Sequence, residues 1–294
     1  MGIKRRFLEL WLLYKLDKNS TEVEIKNLLS DLKHAGSTIE NLLGTPLVNK
    51  DILEIGPGQR FKQALFFGSS NRLTAIDLDD IEVRGIAGWF KLWTNNGSVR
   101  FIKTAGRKVL GSDRAFKRAY EKLHPAARRA NINFLRRDAA DTGLPDLSFD
   151  VTISFSVLEH IPDPRRIIME MIRLTKPGGV FFHVVHIYTS DSGAHDPRSF
   201  QVPHPYFPGW CHLRASTLHL SAGNCFINKL RLDDWLEIVT EKLPGCSIQH
   251  LFAVEESDLK NNLKKIRLDG ELAEYRDDEL LTNCLILAWK KPLM

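Results

Sequence analysis

Two periodicities alternate along this chain. Short apolar runs, each stopped by glycine or an acidic residue, are separated by stretches in which apolar residues recur at helical spacing. The runs at 51–55, 72–77, 132–136, 149–155 and 180–187 read as buried strands. Those at 247–254 and 282–289 read as two late strands. Between them, 61–67, 114–123 and 233–242 carry helical patterns. Pro162-Asp163-Pro164 opens another helix through Ile167, Ile168, Met171, Ile172 and Leu174, and Lys176-Pro177-Gly178-Gly179 is predicted to stop it. Residues 1–48 read as helical, with Thr21 and Glu24 at capping-box spacing and Gly36 as a stop. Strands alternating with helices predict a parallel sheet covered on both faces, the α/β class. The expected organisation is an N-terminal helical extension (1–48) and one α/β domain (49–294), with insertions at 84–130 and 189–228.

Composition narrows the class without naming a function. The 294 residues are 43% hydrophobic and 26% charged, which excludes a collagen-like, wholly disordered or multi-span membrane chain. The net charge of +5 hides an asymmetry. Residues 84–130 hold twelve basic side chains against Asp113 and Glu121, a balance of +10, so the remainder is mildly acidic at −5. That segment is either a solvated helical insertion or a surface for phosphate-bearing acceptors, anionic headgroups or RNA. Cys211, Cys225, Cys246 and Cys284 form no C-x-x-C pair, and four thiols of this kind fit a reducing cytoplasm. Lys4-Arg5-Arg6 followed by an apolar run to Tyr14 is interrupted by Glu9 and ended by Lys15. It reads as a first helix packed on the body, or as a helix lying on a membrane surface, rather than as a signal peptide. The expected location is cytoplasmic, with peripheral membrane contact as an option.

The chemistry concentrates where the first strand ends, at Leu53-Glu54-Ile55-Gly56-Pro57-Gly58. Two glycines let the backbone turn sharply and approach a ligand at the carboxyl edge of a parallel sheet, where open α/β sheets bind. Asp77, ending the next strand, suits the paired hydroxyls of a ribose. A dinucleotide fingerprint needs a third glycine where this chain has Phe61, and no Gly-Lys-Ser/Thr makes a Walker loop.

With these residues in order, the sequence resembles the class I S-adenosylmethionine-dependent methyltransferases, in particular the small-molecule branch grouped with ubiquinone-biosynthesis enzymes. The resemblance covers about residues 50–188. It implies S-adenosyl-L-methionine as cofactor, with the E-x-G-x-G turn of Glu54, Gly56 and Gly58 under its methionine part and Asp77 on its ribose. Asp138-Ala139 would meet the adenine, and Phe149-Asp150-Val151 with Ser154 and Leu158-Glu159-His160-Ile161 matches the fourth-strand segment. Pro57 and Leu78 complete the implied cofactor set. A Rossmann-like, mostly parallel seven-stranded sheet in the order 3-2-1-4-5-7-6, its last strand antiparallel and helices on its flanks, follows from the same resemblance. The departure is Arg60, where many members have a third glycine; it would either narrow the cofactor pocket or pack outward.

The acceptor side is less determined. His160 is the first candidate for a general base and His186 the next. Six of the ten histidines fall between His183 and His219, but His183 and His186 would face opposite sides of one strand, so no metal site is expected. Residues 189–228 suit an acceptor lid. The expected function is methylation of a small-molecule, lipid-linked or glycan-linked acceptor, with O-methylation favoured. The rivals are an RNA or protein methyltransferase docking through 84–130, and a cofactor-binding partner without transfer activity.

Overall fold

A computed structural model describes residues 22–80, 90, 112–196, 199, 208–223, 225–252 and 256–293. The apolar run Phe7–Tyr14, Thr21 and most of the basic segment up to 111 lie outside them. Seven strands form one sheet in the order β3-β2-β1-β4-β5-β7-β6. They are β1 (Asp51–Ile55), β2 (Arg72–Asp77), β3 (Asn131–Arg136), β4 (Phe149–Phe155), β5 (Thr175–His186), β6 (Ser247–Phe252) and β7 (Thr282–Lys290). β1 pairs in parallel with both β2 and β4, and β2 with β3, whereas β6 and β7 are antiparallel. The apolar continuity of the inner strands has its physical cause here: Ile52, Leu53, Ala75, Ile76, Val151 and Ile153 are all buried.

The helices are α1 (Glu22–Leu43), α2 (Lys62–Phe67), α3 (Ser112–Leu123), α4 (Pro164–Leu174), α5 (Leu232–Lys242), α6 (Glu256–Leu268) and α7 (Asp277–Leu281). Gly36 does not stop the first of them. It is buried inside α1, facing Phe67, and the helix ends instead at Gly44, in the left-handed region at φ 74°. The helix through Leu174 does end just before Lys176-Pro177-Gly178-Gly179, and the motif itself belongs to β5. Gly178 N–H donates to Lys291 O and Lys291 N–H to Gly179 O, so the end of the chain draws this turn into β5. The sequence reading assigned nothing to the stretch that forms α6 and α7.

The chain divides into two compact units. The first comprises the described parts of 1–154 with 170–182 and 290–293, and the second 155–169 with 183–289. In the first, Ile25 and Leu29 of α1, Leu65 of α2, Phe116 and Tyr120 of α3, and Ala127 share one apolar cluster. The described end of the basic segment is therefore anchored by its own aromatic residues. Its Arg114, Lys117, Arg118, Lys122, Arg128 and Arg129 remain exposed. In the second unit, Trp210 packs with Leu263, Ile266, Leu272, Leu280 and Leu281, so α6 and α7 hold the 189–228 segment at Trp210. Among the described residues no helix is long and apolar enough to cross a membrane.

Candidate cofactor and acceptor sites

The first unit gathers the sequence-predicted cofactor residues along the carboxyl edge of its parallel strands. Register sets this: Glu54 lies beside Ala75 and Ile153, Ile55 beside Ile76 and Ser154, and Asp77 beside Arg136. The chain leaves β1 through Gly56 and Gly58, at φ 64° and 63°, a backbone that side chains rarely tolerate. Pro57 between them is buried, and Gly56 N–H donates to Ile76 O at 2.9 Å, which pins the turn to β2. The space a side chain on Gly58 would occupy is open.

Glu54 is 1% exposed, and its Oε2 has no hydrogen-bond partner among the described residues. Burial pushes its carboxyl up to about 8. An orphaned buried oxygen next to a glycine turn fits a ligand that brings its own N–H donors, as the methionine ammonium of S-adenosylmethionine does.

Asp77 is half-buried and its Oδ1 accepts the N–H of Asp79 at 2.9 Å, a local turn that fixes the carboxylate at the strand end. Leu78 is 63% exposed beside it, its carbonyl held by Arg136 Nε. Asp138 is exposed and builds the same kind of turn, accepting Ala140 N–H at 2.8 Å, while Ala139 is buried. Ser154 is buried in β4. Arg60 is directed at α3, with its guanidinium 4.6 Å from the Phe116 ring centroid and its Nε 3.6 Å from Asp113. Phe61, where a dinucleotide fold needs glycine, sets its ring edge-on to Phe134 of β3 at 5.8 Å.

The second unit holds the histidines. His160 follows β4 on a short turn, and its Nδ1 lies 2.9 Å from the carbonyl of Phe226. A carbonyl only accepts, so Nδ1 carries the proton and Nε2 keeps the lone pair of the neutral ring. His195 packs edge-on against His160 with ring centroids 4.6 Å apart, and its Nε2 sits 2.6 Å from His186 Nδ1. His186 Nε2 faces Asn283 Oδ1 and Ser192 Oγ, both at 2.9 Å. Burial drives His186 and His195 down to about 4 and about 3, so both rings are neutral at pH 7. Glu159 is buried beside them, and neither carboxylate oxygen finds a hydrogen bond among the described residues. Its carboxyl rises to about 8 by burial, and nearby backbone N–H groups offset part of that rise without reaching bonding geometry. Sequence reasoning found His160 and His186 singly but not this grouping.

Comparison with known proteins bears on the family. A family described as a methyltransferase domain matches residues 95–183, a stretch containing Asp138, Ala139, Ser154 and His160. A probable S-adenosylmethionine-dependent methyltransferase of Mycolicibacterium smegmatis is 34% identical over 83 residues. Residues 95–183 are a methyltransferase domain, and the matched stretch is related to S-adenosylmethionine-dependent methyltransferases. A second relative, the demethylmenaquinone methyltransferase of Listeria welshimeri, is 30% identical over 121 residues, 40% of this chain and 44% of that protein. The M. smegmatis alignment covers 27% of this chain and 30% of its relative, so less than half of either relative's length is matched. Among solved structures, a phosphoethanolamine N-methyltransferase of Haemonchus contortus is similar with a TM-score of 0.47 at 14% identity, covering 94% of this chain and 59% of that one. Glu54, the two turn glycines and Asp77 precede the matched family stretch, and their place in the site rests on the sheet edge described above.

Proposed function

We propose that the chain transfers a methyl group from S-adenosylmethionine to a small-molecule, lipid-linked or glycan-linked acceptor, at oxygen. The observation that carries this reading is the buried, unpartnered Glu54 oxygen beside the Gly56-Pro57-Gly58 turn, on the same strand-end edge as Asp77 and Asp138. Glu54 would receive the methionine ammonium, Asp77 the ribose hydroxyls, and Asp138 with Ala139 the adenine. When bound, the cofactor supplies an electrophilic methyl on a sulfonium. The protein's task is then to position the acceptor in line and to take its proton. His160 is suited to the second part, because the Phe226 carbonyl leaves its Nε2 as the basic atom. That the Listeria welshimeri relative is named a demethylmenaquinone methyltransferase supports a small-molecule acceptor. The exposed Arg and Lys side chains of 114–129 support an anionic membrane or acceptor group near the basic segment.

Calorimetry with S-adenosylmethionine and its demethylated product tests the cofactor half. Asp77→Ala should weaken both about ten- to a hundredfold, the worth of hydrogen bonds to a charged group, while leaving the thermal midpoint nearly unchanged. Unaltered affinity would remove Asp77 from the site. For the acceptor, label from methyl-labelled cofactor incubated with cell extract should enter lipid, glycan or small-molecule fractions. Transfer only to RNA or protein would overturn the acceptor class.

A further inference from the structure

We infer that Glu159, His186 and His195 form a binding site for one divalent transition-metal ion of the zinc type, with a fourth position open to an oxygen ligand. The three residues come from separate places in the second unit: the turn after β4, the end of β5, and the loop that follows it. One ligand atom from each lies within 4.8 Å of the others. Zinc bonds of about 2.0–2.1 Å in a tetrahedron put neighbouring ligand atoms about 3.3 Å apart. The present separations bracket that value, at 2.6 Å for His186 Nδ1 to His195 Nε2 and 3.8 Å for His195 Nε2 to Glu159 Oε1. Small side-chain shifts would therefore admit an ion.

The surroundings point the same way. His186 presents its Nε2 to Asn283 Oδ1, an acceptor, so Nε2–H donates there and the Nδ1 lone pair is the atom turned inward. Ser192 Oγ donates to the same Asn283 oxygen at 3.0 Å and steadies it. Metal-bound histidines are held by such outer partners as a rule. Glu159 brings two buried oxygens without hydrogen bonds among the described residues, one of them 3.8 Å from His195 Nε2. A buried carboxyl without hydrogen bonds is costly unless it is protonated or an ion completes it. Two histidines and one glutamate with a vacant position form a ligand set suited to zinc. Cys225 and His160 also lie within reach of His195, but Cys225 is exposed. His160 is already turned by its bond to the Phe226 carbonyl. The sequence expectation of no metal rested on His183 and His186 facing opposite ways. That alternation leaves His183 out of the set, and the partners of His186 come from elsewhere in the chain.

The inference stands apart from the proposed transfer reaction, since metal binding is read directly. Purified full-length chain, stripped with chelator and dialysed against zinc, should retain about one equivalent after desalting. Loading with cobalt(II) should give the visible absorption of a tetrahedral site. Glu159→Ala and His195→Ala should each lower retained zinc at least about tenfold, with S-adenosylmethionine binding as the check that the rest of the protein is folded. Cys225→Ser should keep the full equivalent. If a variant does not fold, the wild-type cobalt spectrum and a zinc-dependent rise in the thermal midpoint decide the matter. Wild type that retains no zinc, variants that retain as much as wild type, or a Cys225→Ser protein that loses its metal would each overturn the assignment.

Discussion

Glu54→Gln should make the cofactor-free protein more stable above neutral pH while weakening its hold on S-adenosylmethionine. The carboxyl is held up at about 8 by burial, against an ordinary value near 4.5. Between those limits the unfolded chain has released the proton and the folded chain has kept it, so stability falls as pH rises from about 4.5 to about 8 and then levels. Glutamine has the same shape and no charge to desolvate. The gap in thermal midpoint between variant and wild type should therefore be small at pH 5, widen towards pH 8, and reach on the order of 5 °C. Affinity should move the other way: wild-type binding should strengthen with pH through the same window as the carboxylate forms, and the variant should bind at least about tenfold more weakly at pH 8. Parallel midpoint profiles for the two proteins would show that Glu54 is not the buried acid described here.

The largest loss of stability from a single truncation is expected at Trp210. Its side chain is fully buried against Leu263, Ile266, Leu272, Leu280 and Leu281, and its Nε1 donates to Leu280 O at 3.2 Å. Its backbone N–H is also held by Asp191 Oδ1 at 2.7 Å. Trp210→Ala removes the largest side chain of this cluster and strands a carbonyl, which should cost about 3–5 kcal/mol. Chemical denaturation would measure it, and amide exchange should quicken first in α6 and α7. A change under about 1 kcal/mol would mean that this cluster collapses around the vacancy.

Those two residues illustrate what was legible in the sequence. Glu54 sits in a strand-end motif whose local pattern already states its environment: an apolar run, one acid, two glycines. The same holds for Asp77, Asp138 and Ser154, because strand ends in a parallel sheet share an edge whenever the strands pair in register. Trp210 was visible only as an aromatic in a Pro- and Gly-rich stretch. Its partners lie in α6, where Leu259, Leu263 and Ile266 are thin among lysines and asparagines, too sparse to announce a helix. The histidine grouping was hidden for a different reason. Glu159, His186 and His195 are brought together by strand ends and a loop, and their sequence spacing carries no trace of that meeting. Gly36 misled because a glycine inside a helix and one just past its end look alike in sequence, and only the left-handed φ of Gly44 marks the true end.

The route of the chain through its two units has a consequence for synthesis. The first unit draws its last hydrogen bonds from Lys291, whose Nζ donates to Ile172 O and Thr175 O at 2.7 and 2.9 Å, besides the backbone pairs to Gly178 and Gly179. Residues 183–289, which make up most of the second unit, must leave the ribosome before Lys291 can arrive. The sheet edge opposite the one that carries Glu54 and Asp77, where β5 begins, is thus completed late. A nascent chain halted before residue 290 would therefore hold the whole motif region, while the turn before β5 still lacked its clasp.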